Sequence, residues 1–344
     1  MKKSWGFLLV LGLITLIAAG NLFAAAQRQA ADGGWQPNKP IHIIVPWGAG
    51  GSTDQITRVT AAELEKALGV RIVIDNQPGA SGSTGTKNCM DAVKDGYTWT
   101  AGAAVDLATY QTTGMLQTNI KNDWDIFLTV GNVGVIGVNA DSKYQTFDQL
   151  LADFKANPGQ IGVATAGQTS SGHVNIEMVR KYTGIDYKHV TYDGGNPAVT
   201  AVVAGEVLVT PQLAVEQANM IRGGKIRPLA VLAETDLDLD GYGKIPSVKQ
   251  WIPDFKLGPN YFGIFIPRGV PREVIDTLNK VWTEKIVSSQ EIQRYAKENG
   301  AVFAPASGAA AQNQAYEFYQ PVAWLYYEAG KAVVSPDTVG IPRP

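Results

Sequence analysis

From residue 40 onward the chain alternates short apolar runs with stretches whose apolar residues recur at helical spacing. Ile41 to Val45 is almost wholly apolar, the pattern of a strand covered on both faces. After a glycine-rich loop, Ile56, Val59, Leu64, Ala67 and Leu68 predict a helix over Thr53 to Leu68, with Gly69 where a C-terminal cap belongs. Val70 to Ile74 predicts the next strand. Strand, loop, helix and strand at this length form a βαβ unit, which implies a parallel sheet with a right-handed crossover. A helical pattern from Gly85 to Val93 follows.

The pattern restarts after about residue 140. Thr146 with Gln149 resembles a capping box opening a helix to Ala156, ended by Asn157-Pro158-Gly159. Strands Ile161 to Ala164, Tyr187 to Tyr192, Val207 to Thr210 and Ile226 to Leu232 then alternate with helices Gly172 to Tyr182, Pro197 to Ala204 and Leu213 to Arg222. Tyr261 to Ile266 gives one more apolar strand. Pro271 suits the first turn of a helix to about Val287, and a long helix from Ala309 to Ala329 is expected to kink near Pro321. The alternation predicts an α/β protein of two domains, one from 37–138 plus 259–344 and one from 139–258. More than one crossing between them makes a hinge, and a hinge leaves a cleft where small ligands bind.

The N-terminus breaks the pattern. Lys2 and Lys3 precede an apolar run from Trp5 to Ala19, then Ala24-Ala25-Ala26, which is the order of a secretory signal peptide over 1–26. The run is too short and too interrupted for a comfortable membrane span. Residues 27–36 read as a flexible leader, so a soluble, periplasmic mature protein is expected. Length, at 344 residues, agrees with two domains, and a formal net charge of −2 without a basic run gives no electrostatic footprint for nucleic acid. Cys89 is the only cysteine, which excludes an internal disulfide and reads as a small buried residue.

Chemistry concentrates in the loops. The first is Pro46-Trp47-Gly48-Ala49-Gly50-Gly51-Ser52-Thr53-Asp54, between strand and helix. Its glycines allow close backbone approach, Ser52 and Thr53 are placed to cap the helix, and first-turn N–H groups attract anions. Asp54 either caps or accepts hydrogen bonds from a ligand. The second loop, 76–85, carries Gly79, Ala80, Ser81 and Gly82. Thr169, Ser170, Ser171 and His173 open a helix after the strand at 161–164, and Tyr192, Gly194, Gly195 and Asn196 form a fourth loop. Each alone reads as a good turn; four at strand ends read as a binding site for an oxygen-rich anion. Neither glycine loop has the G-x-G-x-x-G spacing and no Walker lysine follows, which disfavours a nucleotide. Ser170, Ser171 and His173 on one helix start do not make a hydrolase elbow, and His173 with Glu177 lacks further metal ligands. No cofactor or metal is expected.

Several motifs in this order resemble the tripartite tricarboxylate transporter receptor family, the Bug or TctC-like binding proteins. They are Ile44 to Asp54, Asn76 to Gly82, Asp95-Gly96-Tyr97-Thr98, Tyr192 to Gly195, Gly224 to Val231, Ile245 to Val248 and Gly263 to Pro267. The resemblance implies a monomeric, hinged receptor of class II-like, Venus-flytrap architecture. It implies capture of a small carboxylate at Trp47 to Asp54, Gly79 to Gly82, Thr169 to His173 and Tyr192 to Asn196, and delivery to the large and small subunits of a membrane permease. Leu208, Gln212 and Tyr261 depart from the family pattern. Alternatives are a sensor subunit presenting the ligand to a histidine kinase, or a secreted α/β hydrolase.

Overall fold

Strand β1 (Ile41–Val45) anchors the first sheet, with parallel neighbours β2 (Ile72–Asn76) and β3 (Thr98–Ala103). The computed structural model describes residues 34–344, so the expected signal peptide lies outside the described residues. Trp35, at the end of the expected leader, packs edge-on against Tyr97. Helix α1 (Ser52–Leu68) links β1 to β2, α2 (Ser83–Asp91) links β2 to β3, and α3 (Ala104–Thr113) follows β3. Strand β2 runs two residues beyond the apolar pattern, because Asp75 and Asn76 keep pairing with Ile44 and Val45. Gly69 closes α1 in the left-handed conformation that the pattern called for, at φ 70°, its N–H donating to the Glu65 carbonyl.

Strand β4 (Trp124–Asn132) completes this half only with help from the far end of the chain. The late strand β12 (Asn260–Pro267) inserts between β3 and β4, antiparallel to both, and β13 (Ala301–Ser307) pairs antiparallel on the outer side of β4. The sheet order is β13-β4-β12-β3-β1-β2. Trp282, on helix α8 (Arg272–Glu284), donates to the Leu128 carbonyl (2.7 Å) and packs its ring against Phe127. Helix α9 (Gln290–Asn299) precedes β13, and α10 (Gly308–Glu328), with Pro321 inside it, lies over α3 and the sheet.

A second sheet, ordered β7-β6-β8-β5-β9, is built from β5 (Gly134–Asn139), β6 (Gly162–Thr165), β7 (Lys188–Thr191), β8 (Val209–Thr210) and β9 (Ile226–Leu232). Strands β6, β7 and β8 run parallel; β5 runs antiparallel to β8 and β9. Helices α4 (Phe147–Ala156), α5 (Ser171–Thr183), α6 (Gly195–Val203) and α7 (Ala214–Arg222) connect them. A hairpin of β10 (Leu237–Leu239) and β11 (Gly243–Ile245) precedes the return. The chain passes between the sheets at Val133, the one residue between β4 and β5, and comes back over 246–259.

Two capping expectations change in detail. Gln149 accepts from the Gln145 N–H (2.8 Å), one residue ahead of Thr146, whose own side chain makes no cap. The N-cap of α1 is Gly51, and Ser52 and Thr53 lie inside the helix. At α9 the side chain does cap: Ser289 Oγ accepts from the Ile292 N–H (3.2 Å) and donates to Glu63 of α1 (2.9 Å). Ser289→Ala should therefore cost about 1 kcal/mol in urea unfolding, the usual worth of such a cap. An unchanged midpoint would show that neither bond stabilises the protein.

Candidate functional site

All four predicted loops leave the carboxyl ends of parallel strands, two from each sheet, and they meet face to face. The Gly48 N–H donates to the Asp193 carbonyl (3.2 Å) and the Gln168 N–H to Ser81 Oγ (3.1 Å). Asn260 of β12 donates to Ser171 Oγ (2.8 Å). Between these contacts lies a narrow inner cavity of about 20 Å³, lined by Trp47, Gly51, Ser52 and Thr53 on one side and Ser170, Ser171 and Gly195 on the other. That space suits about one water, so a larger ligand enters only if the loops part. An outer pocket of about 310 Å³ opens beside it, bounded by Trp47, Gly79, Ala80, Ser81, Gly167 and Tyr192.

The second loop carries backbone strain. Ala80 (φ 46°) and Ser81 (φ 52°) both sit in the left-handed region, flanked by Gly79 and Gly82 in the same half of φ space. Consecutive non-glycine residues held there cost free energy that the surroundings must impose, and such strain clusters at binding sites. Gly82 is required for another reason: a Cβ there would lie 2.6 Å from the Tyr110 hydroxyl and 3.0 Å from the Trp47 ring. That close packing fixes Trp47 between the two pockets.

Several predicted residues stand behind the wall. The Asp54 carboxylate takes the Gly50 N–H (2.9 Å), Arg58 (2.8 Å) and Asn76 (3.0 Å). Burial raises its pKa, but these hydrogen bonds outweigh burial and hold it below the ordinary value. Gly50 faces the Asn196 amide, and Gly194 caps α6 beside Gly48. Thr169 is buried and donates to the Ser81 carbonyl (3.4 Å). His173 is fully buried, stacked between His189 and Tyr326, with its Nδ1 on the Gln168 carbonyl. Burial, then repulsion from His189, pushes its pKa down to about 3, so it is neutral. Glu177, 3.7 Å away, is already shared by Arg180, Lys331 and Tyr187. Leu208 is exposed on the surface, whereas Gln212 lines the inner cavity.

Sequence reasoning missed the acids. Asp106, on the first turn of α3, accepts from Trp47 Nε1 (3.1 Å) and is raised to about 7 by burial. Glu216, on the first turn of α7, is half-buried and raised above its ordinary value by desolvation. Its Oε1 accepts from both the N–H (3.1 Å) and the hydroxyl (2.9 Å) of Ser52, at the positive end of α1. The signal available was a lone carboxylate inside an apolar stretch, as in Ala103-Ala104-Val105-Asp106-Leu107-Ala108. Phe262 of β12 completes the cavity wall.

The family model for the tripartite tricarboxylate transporter family receptor matches residues 56–316. The chain belongs to this family. Among curated relatives, BugT of Bordetella pertussis is 29% identical over 297 residues, 84% of this chain and 89% of that protein. The structure of the periplasmic binding protein BugD overlays with a TM-score of 0.78 at 24% identity, covering 86% of this chain and 99% of that one. MatC of Rhodopseudomonas palustris, solved with bound malate, overlays at 0.71 with 22% identity over 88% of this chain and 99% of its own. The two sheets are thus those of the two-domain α/β fold of periplasmic binding proteins. Members of the family are substrate receptors. No helix among the described residues is long and apolar enough to cross a membrane, and no cluster of metal-ligating side chains occurs among them.

Proposed function

We propose that this receptor is a periplasmic monomer that closes two lobes over a small carboxylate and delivers it to the membrane subunits, large and small, of a tripartite tricarboxylate-type transporter. The observation that carries this reading is the convergence of four strand-end loops, two from each sheet, on one narrow cavity. The lobes are 34–132 with 260–344, and 134–245, and they hinge at Val133 and 246–259. First-turn N–H groups of α1, α5 and α6 have no helical partners and point their positive ends at the cleft. Malate in the structurally similar MatC agrees with a carboxylate in this cleft.

The cleft holds no assembled nucleophile. Ser170 Oγ donates to the Gly167 carbonyl (2.8 Å) and accepts the His173 N–H, while the His173 ring faces the Gln168 carbonyl. A serine whose proton is given to a carbonyl is not activated by a base, so the reading is capture without chemistry.

A thermal-shift screen of the mature protein checks it. A ligand that binds only the folded state stabilises by about 2.7 kcal/mol at a hundred times its Kd, so at least one small carboxylate should raise the melting temperature by several degrees. Shifts with sugars or bare metal cations, and none with any carboxylate, would sink the ligand class.

A further inference from the structure

We propose that Asp106, Gln212 and Glu216 form a subsite for a cationic amino group, so that the ligand is a carboxylate whose other polar end is an amine. This rests on the reading of the cleft as a carboxylate receptor's ligand site. The argument is an inventory of the polar atoms that wall the inner cavity. Asp106 Oδ1 and Gln212 Oε1 are buried there with no hydrogen-bond partner, in side chains 4% and 2% exposed. Glu216, half-buried, adds a second carboxyl to the same wall. No lysine, arginine or histidine lines the cavity. The Ser52 hydroxyl proton is given to Glu216 and that of Ser170 to the Gly167 carbonyl. The Ser171 hydroxyl and the Gln212 amide remain as donors on this wall, but its two buried atoms without any partner, Asp106 Oδ1 and Gln212 Oε1, are both acceptors.

Buried acceptors without donors, and buried carboxyls without a cation, are costly. An ammonium supplies both deficits at once, with three N–H donors and one positive charge. A second carboxylate in this place would meet the carboxyls of Asp106 and Glu216 in a confined space. It would also find the anion seat at the start of α1 already held by Glu216 through Ser52. The ligand's own carboxylate then belongs on the outer side of Trp47, against the left-handed backbone of Gly79 to Ser81.

The test titrates the mature protein calorimetrically with matched pairs: 4-aminobutanoate against succinate, 5-aminopentanoate against glutarate, and L-alanine against propanoate. In at least one pair the amino member should bind ten or more times tighter. Asp106→Asn and Glu216→Gln, each checked for wild-type circular dichroism, should each erode that preference at least tenfold. Equal or tighter binding of the amine-free members by the wild type overturns the proposal and leaves the carboxylate receptor standing. So does a preference unchanged in both variants. Binding of butane-1,4-diamine, with no carboxylate bound in any pair, would support the cluster and overturn the carboxylate reading instead. No binding of any amino-bearing probe overturns the proposal.

Discussion

Asp106→Asn should turn a shallow loss of stability on acidification into a steep one. Two buried groups oppose each other in the native protein. His173 titrates near 3 when folded, against an ordinary 6.5, so the unfolded chain binds the extra proton between those values and stability is lost as pH drops through them. Asp106 is displaced the other way, to about 7 from 3.8. There the folded state binds the extra proton, and stability is gained as pH drops from about 7 towards 4. Each slope is about 1.4 kcal/mol per pH unit, so from pH 6.5 to about 4 these two nearly cancel. His189, lowered to about 4 by burial and then by Lys331, adds a loss of similar slope over the same range, so the wild type loses stability as pH falls. Asparagine preserves the acceptor for Trp47 but removes the titration. Urea melts of Asp106→Asn at pH 6.5 and pH 5 should therefore differ by roughly 3 kcal/mol, about twice the wild-type change. His173→Gln should be nearly level between the two pH values, because the Asp106 gain then offsets the His189 loss. Parallel profiles for all three proteins would mean that neither group titrates as its burial requires.

Gly195→Ala should weaken ligand binding about a hundredfold. The backbone at Gly195 is helical, so a methyl group brings no strain of its own. It would, however, collide with the Glu216 carboxylate and displace it from Ser52. Losing two hydrogen bonds to a charged or buried carboxyl, at about 1.5–3 kcal/mol each, destabilises the closed arrangement by roughly 3 kcal/mol. Affinity falls with the population of the binding-competent form. The check is a double-mutant cycle by calorimetry with whichever ligand the screen identifies. In a Glu216→Ala background the same glycine change should cost less than about threefold. Equal losses in both backgrounds would place the effect somewhere other than the Gly195–Glu216 contact.

What could be read in the sequence follows from how each element is buried. Strand β1 and helix α1 were legible because one is apolar throughout and the other carries an apolar stripe. Helix α3 was not, since nearly every residue from Ala104 to Tyr110 is buried and no polar face marks its period. Strand β13 contains Pro305, which argues against a strand; the structure accommodates it at the sheet edge, where pairing with β4 shifts register between Phe303 and Ala306. The glycine loops announced the cleft, because close approach needs glycine whatever the ligand. Asp106 and Glu216 gave only the faint mark of a lone charge among apolar neighbours, and their roles exist only once α3 and α7 face each other across the cavity.

The insertion of β12 between β3 and β4 constrains how the protein can be made. A nascent chain shorter than about 260 residues has β1 to β4 of the first sheet but neither β12, which joins its halves, nor β13 at its edge. Neither lobe boundary can serve as a point of early independent folding for the first lobe, because its sheet spans the ends of the chain and its contacts are non-local. The first sheet can therefore be completed only after residue 307 has been made, which ties the shape of the first lobe to the last strands of the chain.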